Sequence, residues 1–113
     1  IPVTIVMPVP KFLGWDPHAC ATGRILVDAV SCGTSAGRAG LADRRAKAVA
    51  AQRRVAERDR AHVSVIDPFD VLCPDDPCST YRDDRWWWRD GNHVTVHGAR
   101  AVKDQFDAAL ARG

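Results

Sequence analysis

His62-Val63-Ser64-Val65-Ile66-Asp67-Pro68 decides the fold. Its β-branched apolar residues suit a pleated strand, and Asp67-Pro68 ends it, because proline has no N–H to give a ladder. Working outward toward the N-terminus, Leu41, Ala48, Val49, Gln52, Val55 and Ala56 recur at helical spacing. An alanine-rich composition favours that helix intrinsically. Arg44, Arg45, Lys47, Arg53, Arg54 and Arg58 fall on its other faces. They read as a solvated face rather than a phosphate stripe, since Asp43, Glu57 and Asp59 are interspersed among them. Farther upstream, Val3-Thr4-Ile5-Val6-Met7 is another β-branched run, stopped by Pro8 and Pro10, and reads as a buried strand. Strand, helix, strand is the βαβ order, whose crossover implies parallel strands covered by helices. The expected fold is therefore α/β, three-layer, with a parallel sheet.

The remaining segments are less regular. Residues 8–40 mix Pro, Gly, Cys and Trp and read as a long loop with a short helical turn near 25–30. A loop of that length is usually functional or covalently pinned. Residues 73–85 also read as loop, and Trp86-Trp87-Trp88 as a short extended segment. Thr95 has the character of an N-cap. Behind it Val96, Ala99, Val102, Phe106, Ala109 and Leu110 form an apolar stripe at steps of three and four.

The chain has 113 residues, 46% apolar and 27% charged, which suits one domain and not two. Its net charge of +2 lacks the basic surplus of a dedicated nucleic-acid binder. No apolar run is long enough to cross a bilayer. The first residue is Ile1, not Met, so the chain reads as a processed product or a part of something larger.

Asp90-Gly91-Asn92-His93 lies between the Trp run and the last helix. An Asp three residues before a His can accept the imidazole Nδ1–H and leave Nε2 outward as a base. Gly91 would supply the backbone freedom for that return. Four cysteines ask for an explanation. Two local disulfides, Cys73–Cys78 and Cys20–Cys32, are the simplest reading and imply an oxidising compartment. A zinc site competes, because Cys73, Cys78, His93 and His97 mimic finger spacing. Against it, the intervening segment lacks a finger's alternating pattern, and Asp90 makes better use of His93. Gly33-Thr34-Ser35-Ala36-Gly37 matches the Gly-x-Ser-x-Gly nucleophile elbow, in a chain short for that fold. Trp86 to Trp88 suit either carbohydrate stacking or a strand with alternate rings in the core.

Taken in order, these residues resemble a known family. The series is Val65-Ile66-Asp67-Pro68, then Leu72-Cys73 and Cys78, then Tyr81-Arg82-Asp83-Asp84 or Trp88-Arg89-Asp90, then His93-Val94-Thr95 and Gly98-Ala99. It is similar to the C-terminal part of an SGNH hydrolase domain, of the kind appended to acyltransferase-3 membrane acyltransferases. Val3 to Pro10 and Cys20 resemble the family's preceding strand and its Pro-Cys loop. The resemblance implies a flavodoxin-like three-layer sheet, of which residues 1–113 are the C-terminal portion. It implies a serine-dependent esterase or O-acyltransferase acting on acylated cell-envelope glycans or related esters, without a cofactor or metal. His93 would be the general base and Asp90 its orienting acid. The chain contains no Gly-Asp-Ser segment. Its partners would be the upstream half of the same domain and an attached membrane domain, outside the cytoplasm, with no nucleic acid. The alternative is a non-catalytic, disulfide-stapled module presenting the Trp cluster to a glycan or protein.

Overall fold

The computed structural model describes residues 1–18 and 32–112. Strand β1 (Val3–Val6) pairs in parallel with β3 (Val63–Ile66), in the register Val3 to Val63 through Val6 to Ile66. Helix α1 (Arg38–Arg58) lies between them in the chain, so the βαβ order holds. Two further antiparallel pairs are each two residues long. One joins β2 (Ser35–Ala36) to β4 (Cys78–Ser79), and the other joins β5 (Tyr81–Arg82) to β6 (Arg85–Trp86). A single-turn helix α2 (Phe69–Leu72) follows β3, and α3 (Val96–Ala101) and α4 (Lys103–Ala111) close the chain. The architecture is α/β with small sheets. No helix among the described residues is long and apolar enough to cross a membrane.

Asp67 ties the elements together at the end of β3. Its carboxylate receives Arg45 of α1 at 2.8 Å and the Phe69 N–H of α2 at 3.1 Å. Its carbonyl accepts Gln105 of α4 at 3.0 Å. Burial alone would raise the Asp67 carboxyl, but the hydrogen bonds from Arg45 and Phe69, with the charges of Arg45 and Arg53, hold it below its ordinary value. Around this hub the core gathers Met7, Phe12, Leu41, Ile66, Phe69, Leu72, Trp88 and Val102.

Several sequence expectations change. Strand β1 is not buried: Val3 and Val6 are about half exposed, because β1 pairs only with β3 among the described residues. In α1, Ala48 and Val55 face solvent, whereas Arg45 turns inward beside Leu41. A charge takes that place because Asp67 awaits it, and its guanidinium also lies over the Phe69 ring at 4.7 Å. In the last helical segment Val96, Phe106 and Leu110 are exposed, and Gly98, Val102, Gln105 and Ala109 face inward. The segment breaks at Val102, which ends α3 and starts α4. Residues 81–86 form a hairpin rather than a loop, turning through Asp83 and Asp84 at φ of 55° and 57°. The helical turn expected near 25–30 lies outside the described residues.

Candidate active site

Residues 86–95 fold back on themselves to make the site. An isolated bridge joins Trp88 to Val94, and the Arg89 N–H donates to the His93 carbonyl at 2.8 Å. Thr95 secures the return. Its hydroxyl donates to the Trp86 carbonyl at 2.7 Å and accepts the Gly98 N–H at 3.1 Å, so one side chain closes the turn and caps α3. Gly98 must be glycine, since a Cβ there would stand 2.6 Å from the Trp87 carbonyl oxygen.

Gly91 is needed for a different reason than expected. Its φ is not positive; among described glycines only Gly14 has that. Gly91 is buried instead beneath the loop that follows β1. A Cβ there would lie 2.5 Å from the Phe12 carbonyl oxygen and 3.2 Å from that of Trp15. The Phe12 N–H donates to the Gly91 carbonyl at 2.9 Å. This contact places the turn beyond the carboxyl end of β1, the edge where parallel sheets carry ligands.

Within that turn Asp90 Oδ1 accepts three hydrogen bonds: the Asn92 and His93 N–H groups, both at 2.8 Å, and His93 Nδ1 at 2.9 Å. The Asn92 N–H, followed by the His93 ring, holds the Asp90 carboxyl below its ordinary value. A carboxylate only accepts, so in the neutral ring Nδ1 carries the proton and Nε2 the lone pair. The His93 side chain is 62% exposed against 31% for Asp90. Among the described residues Nε2 has no partner. This is a histidine held in one tautomer with its basic nitrogen open to a ligand.

The three adjacent tryptophans separate by environment. Trp88 is fully buried against Phe12, with ring centroids 4.8 Å apart. Trp87 is held between the Arg82 guanidinium at 3.7 Å and the edge of His97. Trp86 is half-buried and stacks on Trp15.

Cys73 and Cys78 are joined by a disulfide, which consumes the thiols of the alternative zinc reading. The loop it closes serves α1, because Asp76 within it accepts the Arg38 N–H at 3.0 Å. Cys20 lies outside the described residues; Cys32 is not a free thiol. Among the described residues no group of three or more His, Cys, Asp or Glu is placed to hold a metal. Ser35 is not on an elbow. It is extended within β2 and paired with Ser79, whereas a nucleophile elbow is a sharp, strained turn.

Two further Asp–His pairs escaped the sequence reading. Asp59 and His62 repeat the Asp-x-x-His spacing and the 2.9 Å contact, but directly ahead of β3, at the opposite edge of the sheet. Asp16 Oδ1 accepts His18 Nδ1 at 3.0 Å. The backbone and then the ring of His18 lower the Asp16 carboxyl, while the charge of nearby Asp90 opposes that shift.

Parallel strands joined through a helix, with an acid–histidine pair beyond the carboxyl end of β1, define an α/β domain. The chain belongs to the family described as SGNH domain (fused to AT3 domains), whose model matches residues 1–108. That family is hydrolase- and esterase-like. No curated protein and no solved structure matches the chain.

Proposed function

We propose that this chain supplies the base element of a serine-dependent acyl-ester hydrolase or O-acyltransferase. The observation that carries the reading is Asp90 on His93 Nδ1, with Nε2 free of any partner among the described residues at the carboxyl edge of the sheet. His93 Nε2 takes the proton of a serine hydroxyl as its oxygen attacks the ester carbonyl. Asp90 stabilises the imidazolium that results. Collapse of the tetrahedral intermediate returns that proton to the departing alkoxide and leaves an acyl-serine. Water or an acceptor hydroxyl, deprotonated by the same Nε2, then takes the acyl group and frees the serine.

The attacking serine and the oxyanion donors come from the upstream half of the same domain, since residues 1–113 contain no Gly-Asp-Ser. In this reading the parallel β1–β3 pair is part of a three-layer sheet, and the half-exposed Val3 and Val6 leave room for further cover. The substrates are acylated cell-envelope glycans or related esters, reached outside the cytoplasm beside a membrane acyltransferase domain. The Cys73–Cys78 disulfide supports an oxidising location.

Hydrolysis of p-nitrophenyl acetate tests the assignment. Residues 1–113 alone should release no nitrophenol above background, and joining the upstream half should restore turnover. If the 113 residues alone form an acyl-enzyme that Ser35→Ala abolishes, the reading is wrong.

A further inference from the structure

Five aromatic rings run without a break from the core to the surface. Trp88 meets Phe12 at 4.8 Å between centroids, Phe12 meets Trp15 at 6.4 Å, Trp15 meets Trp86 at 6.0 Å, and Trp86 meets Tyr81 at 5.0 Å. The inner two are buried, and Trp15, Trp86 and Tyr81 are half-buried. The Trp15 and Trp86 rings lie within 23° of parallel. Core packing accounts for the inner rings but leaves surface on the outer ones.

The indole N–H groups differ in the same way. Trp15 donates to the Cys32 carbonyl at 2.9 Å, Trp87 to Arg82 at 3.2 Å, and Trp88 to Pro10 at 3.1 Å. Trp86 alone among the four has no acceptor among the described residues. At its flank Tyr81 also lines a cavity of about 200 Å³ with Gly33, Thr34, Ser35 and Ser79. None of the hydroxyls of Thr34, Ser35, Ser79 and Tyr81 has a hydrogen-bond partner among the described residues. Among the described residues the lining carries no charged side chain.

A half-exposed aromatic face beside unengaged hydroxyls and a spare N–H matches a ligand with one apolar face and a hydroxylated rim. A neutral pyranose has that form: its C–H groups lie on one face and its hydroxyls around the edge. A phosphate or carboxylate ligand would call for a cation, and none is among the described residues that line the cavity. The run also reaches the reactive turn, because the Trp15 carbonyl packs against Gly91.

We propose that Trp86 and Tyr81, backed by Trp15 and flanked by the hydroxyl-lined cavity, form a saccharide subsite that seats a neutral pyranose of the acyl-ester substrate. This rests on the acyl-glycan reading for its purpose but not for its binding chemistry. The two are therefore separable by experiment.

The test is a titration of the ¹⁵N-labelled protein with cellotriose, chitotriose and maltotriose, read on the indole N–H resonances. The Trp86 resonance, identified by its loss in Trp86→Phe, should move with at least one of these sugars while that of Trp88 stays still. Trp86→Ala should weaken binding by about tenfold, the order of one lost stacking contact. Trp86→Phe keeps a ring face and a folded hairpin and should weaken it less. His62→Ala, at the opposite edge of the sheet, should bind as the wild type does. A stationary Trp86 resonance with all three sugars, or unchanged affinity in Trp86→Ala, overturns the subsite. Sugar binding in a protein whose ester hydrolysis ignores His93 would keep the subsite and refute the acyl-ester reading.

Discussion

Gly91→Ala should loosen the reactive turn through backbone contact alone. The added Cβ would stand 2.5 Å from the Phe12 carbonyl oxygen, with the Trp15 carbonyl oxygen at 3.2 Å. Neither atom belongs to a side chain that could swing aside, so the two loops must part. Overpacking of this kind costs about 1–3 kcal/mol. Parting the loops also removes the 2.9 Å bond from the Phe12 N–H to the Gly91 carbonyl, worth about 1 kcal/mol. The sum is about 2–4 kcal/mol, a large share of a small domain's stability. Urea unfolding followed by tryptophan fluorescence measures it, as a lower midpoint at unchanged slope. Gly40→Ala is the internal control. It lies inside α1 with nothing within 4 Å of the new Cβ, so the same substitution should stabilise by about 0.5–1 kcal/mol. A Gly91→Ala midpoint within about 0.5 kcal/mol of wild type would refute the close-approach argument.

Asp67→Ala removes the carboxylate that serves Arg45 and Phe69, and should cost about 2–3 kcal/mol in the same assay. Asp70→Ala, whose partner is Arg38 and whose side chain is 88% exposed, should cost no more than about 0.5 kcal/mol. Because the folded Asp67 carboxyl is lowered, its contribution is fully present above the ordinary carboxylate range and fades as pH falls through the lowered value. The Asp67→Ala penalty should therefore shrink in acid, and a penalty constant down to the acid transition would contradict the assignment. By carbon-detected NMR titration Asp90 should ionise below the ordinary value of 3.8. It should stay below that value in His93→Ala, since the leading cause, the Asn92 N–H, remains; a return to 3.8 would mean the ring alone holds the charge.

How much of this was legible in the sequence depends on the range of the contact. The βαβ order followed from strand and helix periodicity, and the parallel β1–β3 pair bears it out. The Asp90–His93 hydrogen bond followed from spacing, yet Asp59 and His62 share both spacing and distance. What separates the pairs is position on the sheet. Gly91 beneath Phe12 sets one of them, through a contact between residues far apart in the chain that no local pattern announces. The inward turn of Arg45 was likewise hidden, because hydrophobic periodicity ranks Val55 above it and is blind to Asp67. The Tyr81–Trp86 hairpin did leave a signal. Asp83-Asp84 is a two-residue connection of a type that tolerates positive φ, set between residues able to pair. The Trp run divided as alternation suggests only in part, for Trp87 is sheltered by Arg82 and His97 rather than by the core.

The central claim is that His93, oriented by Asp90, is the base for acyl transfer. Steady-state hydrolysis of p-nitrophenyl acetate, by the domain joined to its upstream half, tests it when His93→Ala is compared with His62→Ala. Both substitutions remove a histidine held 2.9 Å from an aspartate three residues before it, so any general effect of losing such a pair is matched. The account predicts that His93→Ala lowers kcat by about a thousandfold or more, whereas His62→Ala stays within about twofold of wild type. Equal losses in the two variants, or a His93→Ala enzyme within about tenfold of wild type, would contradict it.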